Sequence, residues 1–209
     1  MMYYVCRFLF YLLFKILFWF KVNGRENIPR KGGFIIASNH VSFADPPLIG
    51  VAAGRSLRYM ARHDLFKNRF CAWVLRQWHV FPVKRDSADL AALKTALQVL
   101  KNNEGLLLFP EGARQASGEF SKPQPGVGFI ARKSNVPIIP VFISGTEKAL
   151  PPGEKNPRMV HVTVTFGRAI KIDKNMPYEA IAQAIMDNIK ELAQSTKISC
   201  KGGVLATQK

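Results

Sequence analysis

Six short apolar runs, at residues 34–38, 57–61, 80–83, 105–109, 138–142 and 159–166, alternate with longer stretches of helical periodicity. That alternation constrains the fold more than any other property of the chain. Helix candidates lie at 46–53, 65–77, 88–100 and 127–133, and a last one runs from Tyr178 to about Gln194. Strand and helix in turn predict an α/β layered domain, with a mixed or mostly parallel sheet flanked by helices. Two helices carry local support. Ser87 is placed to cap the helix bearing Leu90, Leu93, Leu97 and Leu100, with Asp89 in its first turn. The last helix sets Ile181, Ile185, Ile189 and Leu192 on one face. With 209 residues, 48% of them hydrophobic, the chain supports one core. Pro151, Pro152, Gly153 and Pro157 mark an exposed loop, because too few residues follow to build a second core. Residues 196–209 read as a flexible tail.

Residues 3–20 are apolar or aromatic except for Arg7 and Lys15, and these interruptions make the segment a poor bilayer span. At about 100° per residue, Arg7, Lys15, Lys21, Tyr4 and Tyr11 fall on one side. A strongly apolar helix with such a stripe predicts a segment lying in the membrane interface, residues 1–22 forming a membrane-associated helix ahead of a domain at 23–195. The competing readings are a tilted span with snorkelling bases, a signal peptide and an ordinary core helix. A cleavable signal fits worst, because Lys21, Val22, Asn23, Gly24 and Arg25 offer no small-residue cleavage site.

The net charge of +16 implies an anionic partner. Bases concentrate between Arg55 and Arg85, where Arg55, Arg58, Arg62, Lys67, Arg69, Arg76, Lys84 and Arg85 face a single acid, Asp64. Nucleic acid is a poor partner for this charge: no zinc finger, helix-turn-helix or RNA-recognition motif accompanies it, and the aromatics gather in the N-terminal segment. Cys6, Cys71 and Cys200 lie far apart without metal-ligand spacing, and the four histidines do not cluster, so neither a disulfide framework nor a metal site is expected.

The stretch Phe34-Ile-Ile-Ala-Ser-Asn-His-Val-Ser-Phe-Ala-Asp-Pro-Pro sets His40 just past a buried strand and Asp45 at the start of a helix. Strand ends in α/β sheets converge on a common crevice, and a histidine oriented by a carboxylate can serve as general base. Each residue also has a plain structural reading. Asp45 before Pro46 is a good N-cap, and we assign it both roles. His63, His79 and His161 read as structural, Arg85 alone as a solvated charge, and Glu111 as a cap or a partner of Arg114.

Four stretches in order, N-H-x4-D at Asn39 to Asp45, Phe81-Pro-Val-Lys-Arg85, Phe109-Pro-Glu-Gly-Ala-Arg114 and Val136-Pro-Ile-Ile-Pro-Val141, resemble the motifs of the glycerolipid acyltransferases, and among them the bacterial 1-acylglycerol-3-phosphate acyltransferases. The resemblance implies that His40 removes the proton of an acceptor hydroxyl while Asp45 orients it, and that the hydroxyl then attacks an acyl thioester. It implies a phosphate-binding Arg85, and an acceptor pocket lined by Glu111, Gly112 and Arg114, with Arg114 a second phosphate ligand. The expected reaction transfers a fatty acyl group from acyl-CoA or acyl carrier protein to the sn-2 hydroxyl of lysophosphatidate, with no tightly bound cofactor. The expected setting is the cytoplasmic face of the cell membrane, with an anionic surface as partner. Acylation of glycerol 3-phosphate or another lysolipid, hydrolysis, and a non-catalytic basic membrane protein are the alternatives. Three departures from the family pattern bear on the acceptor: Gln115 where a serine commonly follows, Trp78 and His79 where small residues commonly stand, and Lys122-Pro-Gln-Pro-Gly126.

Overall fold

The structure, a computed structural model, describes residues 2–84, 89–115, 119–149 and 158–205. Its seven strands are β1 (Trp19–Asn23), β2 (Phe34–Ser38), β3 (Leu57–Arg62), β4 (Val80–Val83), β5 (Gly105–Leu108), β6 (Ile138–Ser144) and β7 (His161–Phe166). They form one sheet in the order β1-β7-β6-β2-β5-β3-β4. Every pairing is parallel except β6 with β7. The five strands from β6 to β4 therefore point one way, and β1 and β7 the other. β2 lies between β5 and β6, and all five of its residues, four apolar and Ser38, are buried, as in a strand covered on both faces of a parallel sheet.

The helices divide between the two faces. α4 (Leu90–Lys101), α5 (Pro125–Ser134) and α7 (Tyr178–Leu205) close one face, where Ala96, Leu100, Ile130, Ile181, Ile185 and Ile189 pack on Ile35, Leu106 and Ile138. On the other, α2 (Asp45–Ala53) is almost wholly buried, because α1 (Met2–Leu17) lies across it and sends Phe14 into the same core, joined by Phe18 just past its end. α3 (Arg69–Gln77) connects β3 to β4, and the short α6 (Thr146–Ala149) follows β6.

Several sequence expectations need correction. The apolar N-terminal segment is not one helix to Phe20: α1 ends at Leu17, and Trp19–Asn23 join the sheet as β1, across the expected boundary between residues 22 and 23. Its stripe is also turned differently. Phe10, Phe14, Leu17 and Phe18 pack inward, with Tyr11 and Lys15 flanking them, while the outer arc is Leu9, Leu12, Leu13 and Ile16. The helix is thus a core helix on one side and an exposed apolar one on the other. The expected helix at 65–77 is a 3-10 turn, His63–Phe66, followed by α3, whose cap Asn68 accepts from the backbone N–H groups of Phe70 and Cys71. Asp89 caps α4 by accepting from Ala92 N–H, and its other oxygen accepts from Lys84 N–H at 2.8 Å. The expected cap Ser87 lies outside the described residues, as does Arg85. α7 continues to Leu205, into the segment expected to be a tail. No helix among the described residues is long and apolar enough to cross a membrane.

Candidate active site

The C-terminal edge of β2 is gripped from both neighbouring strands. On the β6 side, Asn39 is buried and makes a two-way amide clasp: its Nδ2 donates to Ile143 C=O and its Oδ1 accepts from Ile143 N–H, both at 2.9 Å. On the β5 side, the ring of Phe109 stacks on the His40 imidazole with centroids 4.0 Å apart and an 18° interplanar angle. His40 is left between them, with its side chain 16% exposed.

The turn after His40 closes on one carboxylate oxygen. Asp45 Oδ2 accepts from His40 Nδ1 at 2.9 Å and from the backbone N–H groups of Val41 and Ser42, both at 2.7 Å. Asp45 is fully buried, and its Oδ1 has no hydrogen-bonding partner among the described residues. The cap expected of Asp45 is therefore absent: it is the first residue of α2, Ala44 occupies the cap position, and no side chain there accepts a helical N–H. The carboxylate reaches back into the turn instead. With Nδ1–H donated to Asp45, the lone pair of His40 sits on Nε2, the tautomer a general base requires.

A second carboxylate holds the backbone of His40. Glu111 is 96% buried, within a residue exposure of 4%. Its Oε1 accepts from His40 N–H at 3.4 Å, and its Oε2 from Ser121 N–H and Ser121 Oγ at 3.2 and 3.3 Å. Burial pushes its pKa above the ordinary carboxylate value, opposed by these donors. Gln115, at the position that departs from the family pattern, donates its backbone N–H to His40 C=O and its Nε2 to Ser121 Oγ, both at 2.8 Å. The loop after β5 is thereby clamped around the backbone of His40.

The predicted site residues thus separate. His40 and Asp45 are in contact, and Glu111 reaches His40 through its backbone and faces inward. Gly112 is exposed, in the left-handed region at φ 70°, where a side chain would be strained. Arg114 is exposed beside the His40 turn, its guanidinium carbon 3.4 Å from the centroid of Phe43. Arg85 has no described position. The residues that sequence reasoning left without a role are Asn39, Phe109, Gln115 and Ser121. Asn39 offered a signal, a polar amide directly after a buried strand, whereas Ser121 offered none. Of the remaining histidines, His161 stacks on Trp19 and His79 meets Ser56 Oγ at 3.4 Å.

Two cavities open along the same edge of the sheet. One, about 490 Å³, lies where β6 ends and β7 begins, between Trp19, Gly145, Lys148 and His161. The other, about 330 Å³, lies beyond β4 between His63, Pro82, Lys84 and Asp89. Among the described residues, no group of three His, Cys, Asp or Glu side chains could hold a metal ion.

The protein-family model described as Acyltransferase matches residues 20–144, the stretch that carries β1 to β6 and both loops around His40. The chain belongs to the acyltransferase family. It is similar to the 1-acyl-sn-glycerol-3-phosphate acyltransferase of Bacillus subtilis, 32% identical over 126 residues, covering 60% of this chain and 62% of that protein. It is also similar to the protein of the same name from Streptococcus pneumoniae, 29% identical over 198 residues, covering 87% of this chain and 71% of that one. Matches therefore span less than two thirds of the Bacillus relative's length and more of the Streptococcus one. Among solved structures, the 1-acyl-sn-glycerophosphate (LPA) acyltransferase PlsC from Thermotoga maritima superposes with a TM-score of 0.68 at 26% identity, covering 83% of this chain and 72% of that one. The acyltransferase fold thus extends well beyond the segment the family model matches.

Proposed function

We propose that this acyltransferase moves a fatty acyl group from an acyl thioester to the sn-2 hydroxyl of a 1-acylglycerol 3-phosphate, forming phosphatidate. The observation that carries the reading is the 2.9 Å contact of His40 Nδ1 with Asp45 Oδ2, an oxygen that two backbone N–H groups also hold in place. His40 Nε2 takes the proton of the acceptor hydroxyl as its oxygen attacks the thioester carbonyl. Asp45 stabilises the imidazolium that forms. The tetrahedral oxyanion then collapses, the carbon–sulfur bond breaks, and the imidazolium returns its proton to the departing thiolate. The products are the ester and a free thiol, carried on coenzyme A or an acyl carrier protein.

Arg85 and Arg114 are the proposed phosphate ligands, since a guanidinium fork matches phosphate oxygens. Arg114 would leave Phe43 to bind. Glu111 supports the His40 backbone, and Gly112 lets the same loop turn at the mouth of the site. The outer arc of α1, Leu9, Leu12, Leu13 and Ile16, suits a helix lying in the interfacial region of a bilayer. The protein would then work at the cytoplasmic face of a membrane, without spanning it.

The test is acyl transfer from labelled thioesters to lysophosphatidate in liposomes, with His40→Ala, no-acceptor and glycerol 3-phosphate controls. Histidine-dependent phosphatidate is the expected result. Free fatty acid formed without acceptor would make the protein a hydrolase, and acylation of glycerol 3-phosphate alone would move the acceptor one step earlier.

A further inference from the structure

α3 buries little of itself. Among its nine residues only Ala72 is buried, while Phe70 is 71% and Trp73 52% exposed, their rings stacked at 6.3 Å. At about 100° per residue, Arg76, Arg69, Trp73 and Phe70 follow one another within an arc of about 120°. Leu65, in the 3-10 turn before the helix, is exposed as well, and from Leu65 to Gln77 the chain has three bases and no acid. Large apolar side chains left in water at this density mark a contact surface.

The position of α3 narrows its partner. It follows β3, whose end lies on the same sheet edge as His40, so Leu65 and Phe70 stand at the level of the site. At the other end of α3, Trp78 meets Phe10 of α1 edge to face, with centroids 4.9 Å apart. α1 and the C-terminal end of α3 therefore meet, and each helix carries apolar residues outward.

We propose that α3 is a second lipid-docking element, seating Phe70 and Trp73 among the acyl chains of an anionic bilayer while Lys67, Arg69 and Arg76 meet its headgroups. Aromatic rings interleaved with bases are the composition of an interfacial helix, and each base adds attraction to an anionic surface. An acidic carrier protein would use the bases but leaves less reason for two exposed rings. Contact through α1 alone would leave the molecule free to rock about one helix axis. A second contact through α3 fixes its tilt and brings the His40 edge against the lipid that supplies the acceptor. This rests on the membrane reading above but not on the identity of the acceptor.

The full chain and two double variants, Phe70→Ser with Trp73→Ser and Arg69→Gln with Arg76→Gln, would be titrated with phosphatidylglycerol-containing and purely phosphatidylcholine vesicles. Activity towards a short-chain, freely dissolved acceptor and the melting temperature serve as controls. The aromatic pair should weaken binding to anionic vesicles about tenfold or more, and the arginine pair should reduce the preference for anionic over neutral vesicles. Activity on the dissolved acceptor and melting temperature should hold. Unchanged vesicle binding in both variants overturns the proposal, as does a loss of carrier-protein affinity with vesicle binding intact. Vesicle binding reads without catalysis, so a wild type that binds through α3 yet acylates nothing would refute the proposed reaction and leave the docking element standing.

Discussion

The turn around His40 and the helices α1 and α3 use their residues in opposite ways. In the turn, polar groups are consumed internally: Asp45 Oδ2 takes three donors, Asn39 both polar groups of Ile143, and Glu111 the backbone of His40. On the helices, apolar groups face outward with nothing on them. Internal satisfaction holds a geometry tightly, as the proposed proton transfer demands, whereas unpartnered apolar surface would, on the proposed docking, set where the whole molecule sits. A small chain can thus divide precision and placement between separate parts.

The sharpest way to break that contrast is His40→Ala, which should lower kcat by about 10² to 10⁴-fold, the usual worth of a general base, with vesicle binding unchanged. A fall in both would mean that the turn also places the molecule. Asp45→Asn should act less strongly. Val41 N–H, Ser42 N–H and His40 Nδ1–H all require an oxygen at Oδ2, so the amide oxygen takes that position and the tautomer of His40 survives. We expect kcat to fall roughly ten- to a thousandfold, below the about 10⁴-fold of a triad whose tautomer is lost. Nitrogen NMR of the imidazole would show whether Nδ1 keeps its proton.

Asn39→Ala tests the clasp itself. It strands the N–H and C=O of Ile143, at about 1–3 kcal/mol for each buried group left without a partner, and should lower the denaturant midpoint while leaving vesicle binding intact. Glu111→Gln gives a pH signature. A carboxyl whose pKa is raised by folding holds its proton longer in the folded chain, so stability falls as pH rises from the ordinary carboxylate range through the raised value. The variant lacks that dependence, and thermal unfolding from about pH 4 upward should show the wild type losing stability relative to it. The smallest effect belongs to Glu104, whose pKa is lowered first by its hydrogen bond from Arg58, at 2.6 and 2.8 Å through two nitrogens. That contribution is present above the ordinary carboxylate value and is lost as pH falls through the lowered one. Both side chains are about a third exposed, so Glu104→Gln should cost within about 1 kcal/mol near neutrality.

What the sequence made legible was local. β2 is four apolar residues and a serine followed by polar Asn39 and His40, and His40 and Asp45 are five residues apart, close enough for one turn to join them. β1 was hidden because Trp19 and Phe20 continue the apolar character of α1, and only a distant partner, β7, draws the segment into the sheet. The role of Asp45 was half legible. Asp-Pro at a helix start reads as a cap, but three donors within the preceding turn compete for the same oxygen and win. For Glu111, spacing identifies a carboxylate near the site without saying which way it faces. That depends on Ser121, ten residues on, and on where the loop returns.

The pairing of β1 with β7 also orders events during synthesis. Asn23 meets Thr165 across 142 residues of chain, which at about 5–20 residues per second takes roughly 7 to 30 s to be made. Until β7 emerges from the ribosome, β1 has no strand to pair with, and the apolar segment before it waits outside a finished core. On the proposed membrane attachment, a bilayer close to the ribosome would have that interval in which to capture the segment, so attachment would precede completion of the sheet.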